Sequence, residues 1–293
     1  MAKIYQIENS VVKIAVSEKG AELQSLIDRS TGQEYMWSGD PEVWGKHSPA
    51  LFPIVGALKD NTYQYEGQWY QLNRHGFARE MDFSVVGQLA DELVFLLKST
   101  AETLKLYPFE FDFKIKYQLE GRTLNVTYDV HNTGNKTMWF SVGGHPAFKL
   151  PLFKGDAYVE YYLEFAEKED AGRWPIEAGG LLAQDSVPFF NNTNILRLNK
   201  GLFAKDAVVL KDLKSRKLAL RSDKNGKGFA FTWEGFPYLG IWAAPGADFV
   251  CIEPWCGIAD TVGTSQDFTK KEGINSLEPG QHFERTWSVT IIS

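Results

Sequence analysis

The stretch Phe111-Asp112-Phe113-Lys114-Ile115-Lys116-Tyr117-Gln118-Leu119-Glu120-Gly121-Arg122-Thr123-Leu124-Asn125-Val126-Thr127-Tyr128-Asp129-Val130 decides the fold class. Apolar and aromatic side chains take every second place up to Leu119, with Asp112, Lys114, Lys116 and Gln118 between them. Beyond Glu120-Gly121-Arg122 the alternation resumes, with Leu124, Val126, Tyr128 and Val130 against Thr123, Asn125, Thr127 and Asp129. Successive side chains of a strand point to opposite faces, so each run buries one face and wets the other. A glycine-containing junction between two such runs is a hairpin signal. The stretch is therefore a long β-hairpin.

The same grammar extends outward. Thr62 to Leu72 has the pattern of a second hairpin, turning at Glu66-Gly67, and Trp287, Val289 and Ile291 mark a closing strand. Helical periodicity is nearly absent, with one short turn expected at Ala101–Leu106. Turn signals recur every eight to twelve residues or so, the spacing of a large antiparallel sheet system. No Pro/Gly/Ser-rich linker, repeat or low-complexity segment divides the chain. The expected fold is all-β, a large antiparallel β-sandwich formed as a single domain over residues 1–293. Such a sandwich takes its ligand on a concave face built from several strands and loops, so functional residues will be scattered along the sequence.

Composition narrows the partners. With 44% hydrophobic and 23% charged residues the chain is globular, and a formal charge of −6 argues against a nucleic-acid partner. Two cysteines, Cys251 and Cys256, are too few for a disulfide framework, and their spacing matches no common zinc pattern. Free thiols in a reducing compartment are expected. No basic-then-apolar leader opens the sequence, and no apolar run of about 18 residues could span a membrane. The expectation is a cytoplasmic protein with no membrane partner, acting as a monomer or homodimer.

Five histidines exist, His47, His75, His131, His145 and His282. Two keep unusual company. His75 lies in Asn73-Arg74-His75-Gly76-Phe77-Ala78-Arg79-Glu80, after a predicted strand, and His145 in Ser141-Val142-Gly143-Gly144-His145-Pro146-Ala147-Phe148, at a strand end. A neighbouring glycine lets backbone or ligand approach closely. Either histidine could equally be a satisfied structural residue. His131 falls on a polar strand face and His282 just before the last strand, where structural roles suffice. In Asp248-Phe249-Val250-Cys251-Ile252-Glu253-Pro254-Trp255, a carboxylate ends an apolar strand. Partial desolvation there would raise its pKa and make it a better base, although a surface-facing strand-end glutamate has the same local sequence. There is no glycine-rich phosphate loop, GxSxG elbow or HExxH pair, and no cluster of metal ligands is evident.

Taken together, Ala50-Leu51-Phe52-Pro53, Arg74-His75-Gly76-Phe77-Ala78-Arg79, Gly143-Gly144-His145-Pro146 and Ile252-Glu253-Pro254-Trp255 resemble the aldose 1-epimerase family, and its LacX-like branch in particular. The likeness runs through essentially the whole chain, in order. It implies a galactose mutarotase-like β-supersandwich that interconverts the α and β anomers of a sugar without cofactor or metal. Ring opening needs one group to take the proton of the C1 hydroxyl and another to protonate the ring oxygen. By resemblance, Glu253 is the base and His145 the acid, and His75 hydrogen-bonds the ring oxygen or a neighbouring hydroxyl. Asp206 falls where the family keeps an aspartate that binds sugar hydroxyls; a turn aspartate is the plainer alternative. Trp242 and Trp255 are candidates for an apolar wall against the sugar ring, or else core residues.

One departure bears on substrate. Galactose mutarotases typically carry a sugar-contacting arginine upstream of the first histidine, and the equivalent position here is about Ala57. Lys59 and His47 are the nearby basic residues that could take over. Arg79 resembles an arginine of the hexose-6-phosphate branch, where it would hold phosphate through a bidentate contact. The expected activity is thus an aldose 1-epimerase acting on an aldohexose or related sugar. The alternatives are a hexose-6-phosphate-specific epimerase, a non-catalytic carbohydrate-binding or sensing protein, and a glycosidase or lyase on a similar sandwich.

Overall fold

The structure, a computed structural model, describes residues 2–292. The hairpin that opens the sequence argument is its spine. Phe111–Glu120 and Thr123–Asn132 pair antiparallel in unbroken register from Phe111 opposite Asn132 to Glu120 opposite Thr123. The alternation is expressed as predicted: Phe111, Phe113, Ile115, Tyr117 and Leu119 are buried, as are Leu124, Val126, Tyr128 and Val130. Around this hairpin grows a nine-stranded sheet. It continues on one side through Glu92–Lys98 to Ser84–Gln88, and on the other through His282–Ile292, Asn225–Thr232, Lys217–Ser222 and Tyr161–Glu169 to Thr193–Arg197. The last strand, predicted from Trp287 onward, starts at His282, which stacks on His131 with ring centroids 4.0 Å apart.

A second sheet lies against the first. It orders Val208–Leu210, Tyr238–Trp242, Phe249–Cys256, Val142–Gly144 and Ala50–Leu51, with Ala147–Lys149 also paired to Phe249–Cys256. Aromatic contacts weld the two sheets: Phe52 stacks on Phe113 at 4.6 Å, and Phe148 meets Phe229 at 4.3 Å. Such pairs add to the area burial of large side chains, and one apolar cluster runs from Ile7 to Ile291. A four-stranded sheet from the N-terminal region, Ile4–Glu8 to Gln33–Glu34, completes the frame. The all-β, antiparallel expectation holds. So do the hairpin Thr62–Tyr65 with Gln68–Gln71, turning at Glu66-Gly67, and the short helix Ala101–Leu106, which is capped by Thr100.

Candidate active site

The central strand of the second sheet, Phe249–Cys256, is buried along its whole length, so Glu253 lies inside this strand rather than at its end as its local sequence suggested. On one side it pairs with Tyr238–Trp242. On the other it pairs with two short strands in succession, Ala147 facing Cys251 and Gly143 facing Trp255. The register is the same on both sides of the break, which places His145 across from Glu253 at the gap. Pro254 and Pro146 bracket this gap, and neither has an N–H to donate to a ladder there. The ladder interruption thus frees two opposed side chains, and His145 Nε2 comes to 3.2 Å from Glu253 Oε2. Gly240 occupies the matching position on the other neighbouring strand. A Cβ on Gly240 would stand 2.3 Å from the Trp255 ring, so the missing side chain makes room for the indole.

His75 reaches the same place from a loop. Its backbone is left-handed (φ 70°) and is clamped twice by Gly56: the His75 N–H donates to the Gly56 carbonyl at 2.9 Å, and the Gly56 N–H donates to His75 Nδ1 at 3.1 Å. Gly56 itself sits at φ 75°, where a Cβ would collide with Ala259 at 2.5 Å. Because Nδ1 accepts a backbone hydrogen bond, the neutral ring must carry its proton on Nε2. The two imidazoles stand edge to face with centroids 5.7 Å apart. Trp44 stacks on His145 at 5.1 Å and Trp242 abuts its edge at 5.6 Å.

These side chains line a cavity of about 510 Å³, within the range of pockets for small molecules. Glu253, His145 and His75 line it together, and Trp242, Trp255 and Trp44 supply aromatic walls. Asp206 and Arg79 also reach it, as expected from the sequence. Asp206 has φ 76°, and its Oδ1 accepts the Ala207 N–H at 2.7 Å, leaving Oδ2 turned toward Arg74 Nη1 at 3.5 Å.

Two expectations are corrected. Lys59 does not line the cavity; its backbone N–H donates to Asp260 Oδ2 at 3.0 Å, in a turn held by the buried Lys271–Asp260 ion pair. His47 lines a different cavity, of about 540 Å³, with Trp37 and Lys149, because its strand-leading segment is tied to Glu22 through its own N–H. A second arginine besides Arg79 does enter: Arg74, which sequence reasoning passed over although it directly precedes His75. Its guanidinium lies beside Gly180, where an added Cβ would be 3.5 Å from Arg74 Nη1 and 3.2 Å from Ala57 Cβ. Trp44 was missed as well; nothing in its Glu42-Val43-Trp44-Gly45 surroundings distinguishes it.

The fold also gathers possible metal donors that lie apart in the sequence. Donor atoms of His145, Cys251 and Glu253 all lie within 4.8 Å of one another. Spacing in sequence could not disclose this, since cross-strand pairing brings the histidine in.

Burial dominates the electrostatics. Desolvation raises the Glu253 carboxyl well above the usual carboxylate range, with Arg74 opposing, and lowers the His145 imidazole to about 3. His75 is likewise pushed well below its ordinary value by burial and by His145 and the two arginines. Both shifts favour the uncharged forms, a protonated carboxyl facing a neutral imidazole, and groups this close are coupled in their titration.

Compared with known proteins, residues 3–283 match the aldose 1-epimerase family, and the chain belongs to that family. It is 33% identical to protein LacX (plasmid) of Lactococcus lactis subsp. lactis, covering 98% of this chain and 99% of the relative. Among solved structures it is similar to a galactose mutarotase related enzyme from Lactobacillus acidophilus (38% identity, TM-score 0.94, 99% of this chain and 98% of the other). A galactose mutarotase-like protein from Lactobacillus casei shares 31% identity and superposes with TM-score 0.92, over 99% of this chain and 100% of that one.

Proposed function

We propose that the protein is an aldose 1-epimerase that interconverts sugar anomers through Glu253 and His145. The observation that carries this reading is their buried contact at 3.2 Å on the cavity wall. A proton first passes from the Glu253 carboxyl to His145 across their contact; the carboxylate then takes the C1 hydroxyl proton while His145 gives its proton to the ring oxygen, and the C1–O5 bond breaks to leave the open-chain aldehyde. This step ends with Glu253 protonated and His145 neutral, the state that desolvation favours. A carboxylate with a raised pKa is a strong base and an imidazolium with a lowered pKa a strong acid, so burial drives both transfers in the opening direction. After rotation about C1–C2, Glu253 returns its proton to the carbonyl oxygen, His145 takes the proton of the C5 hydroxyl, and the other anomer closes. His75, with its Nε2–H, donates to a sugar oxygen. Arg74 and Asp206 bind hydroxyls, and the tryptophans pack on the ring's C–H face.

A second substrate reading rests on Arg79. Its Nε is buried without a hydrogen-bond partner, and the nearest carboxylate, Glu80 Oε1, is 4.0 Å away. With Arg74 nearby, this guanidinium suits a phosphorylated sugar. One experiment addresses both: polarimetry on freshly dissolved α-glucose, α-galactose and α-hexose 6-phosphates. Acceleration of free hexoses supports the first reading. Acceleration confined to the phosphates, and lost in Arg79→Ala, selects the second. No acceleration with any of them, at high enzyme concentration, rejects epimerase activity in favour of a binding protein.

A further inference from the structure

We propose that His145, Cys251 and Glu253 form a site for a thiophilic divalent cation such as Zn2+, and that the bound ion switches the acid–base pair off. Strand alternation puts Cys251 on the same face of Phe249–Cys256 as Glu253, two residues away, and the register across the ladder break brings His145 against both. The three donors, one imidazole nitrogen, one sulfur and one carboxylate oxygen, lie within 4.8 Å of one another. The His145 Nε2 to Glu253 Oε2 separation of 3.2 Å is close to the roughly 3.3 Å that two ligands at about 2.0–2.1 Å subtend at a tetrahedral zinc. The sulfur closes the triangle with a shift of about 1 Å or so, given a Zn–S bond of about 2.3 Å.

The donor set selects the metal. Thiolate with imidazole favours Zn2+, Co2+ and copper over Mg2+ or Ca2+, which want oxygen ligands only. Three protein ligands leave a fourth position facing the cavity, through which the ion enters and where a water or hydroxyl completes the shell. Arg74 and Arg79 oppose a cation there; the Cys251 thiolate and the Glu253 and Asp206 carboxylates offset them. Each ion displaces to the buffer the Cys251 proton and the proton shared by His145 and Glu253. The ion then occupies the lone pairs that would accept and deliver the sugar's protons. The binding claim stands apart from the proposed epimerase activity; only the inhibition arm rests on it.

The test uses full-length protein freed of metal with a chelator, and Co2+ as the spectroscopic probe. Cys256, on the opposite face of the strand and bonded to the Gly235 carbonyl at 3.6 Å, is the control thiol. The expected result is one equivalent of Co2+ giving the intense visible bands of a tetrahedral site plus a near-ultraviolet thiolate charge-transfer band, in wild type and in Cys256→Ser alike. In the latter, Cys251 is the sole remaining thiol, so the assignment holds even where Cys251→Ala fails to fold. Cys251→Ala and His145→Asn should lose the charge-transfer band or weaken Co2+ binding at least about tenfold. Mg2+ should not compete. In the activity arm, Zn2+ should lower the rate of the wild type at least about tenfold relative to its own metal-free rate, reversibly with chelator, and leave Cys251→Ala at its own metal-free rate. Absence of a thiolate band in wild type, or an unchanged spectrum in folded Cys251→Ala, overturns the site. A thiolate-bound Co2+ spectrum in a protein that accelerates no sugar supports the site and counts against the epimerase.

Discussion

Replacing His145 with asparagine should alter how stability depends on pH, and the sign of the change reports the charge state of the buried pair. In the folded protein desolvation holds the imidazole at about 3, against an ordinary 6.5. Between those values the unfolded chain binds a proton that the folded chain refuses, so stability is complete above about pH 6.5 and is lost as pH falls toward 3. Over pH 8 to pH 4 this loss amounts to about 3 kcal/mol, at about 1.4 kcal/mol per unit of separation between the two pKa values. The asparagine variant lacks this proton. Its stability relative to wild type should therefore improve by about 3 kcal/mol over the same interval, whatever the offset at pH 8. Equilibrium urea unfolding at half-unit pH steps measures the difference, and subtraction cancels the many other groups. Repeating the pair in a Glu253→Gln background removes the coupled partner. A flat difference would mean an ordinary imidazole. A difference of opposite sign, with wild type gaining on the variant as pH falls, would mean that Glu253 holds His145 as an imidazolium, and the neutral resting pair would be refuted.

Glu253→Gln should lower anomerisation at least about a hundredfold by polarimetry. Because burial raises the carboxyl, wild type loses stability as pH rises from about 4.5 toward that raised value, so the thermal midpoint of Glu253→Gln should gain on wild type between pH 5 and pH 8. Arg74→Ala should raise KM for the sugar about tenfold or more with a smaller effect on kcat, since it removes charged hydrogen bonds made to bound sugar throughout the reaction; steady-state kinetics separate the two. Gly240→Ala, whose Cβ would meet the Trp255 ring at 2.3 Å, should cost about 1–3 kcal/mol in urea unfolding and raise KM by moving the indole.

How much of this was legible in the sequence follows from the range over which each signal acts. Period-two alternation at Phe111–Val130 and the turn at Glu66-Gly67 are local, because side-chain direction in a strand and φ in a tight turn are set within a few residues. They sufficed for an all-β antiparallel fold. The motifs around His75, His145 and Glu253 marked residues that the fold gathers around one cavity, yet each motif was as consistent with a structural role as with a chemical one. What made them a site is non-local. The opposition of His145 and Glu253 depends on the register of two short strands on either side of a ladder break. Their opposed pKa shifts come from walls contributed by Trp44, Trp242 and Trp255, which no local window contains. Proximity in sequence misled for the basic residues: Lys59 and His47 lie near the position of the absent arginine along the chain but turn elsewhere, whereas Arg74 lines the cavity. Cys251, which sequence spacing left as an idle thiol, becomes a third donor only because cross-strand pairing carries His145 to it. Strand character and residue chemistry are properties of the sequence by itself. Contact and desolvation arise only when distant strands pair and exclude water, and the tertiary structure alone decided them.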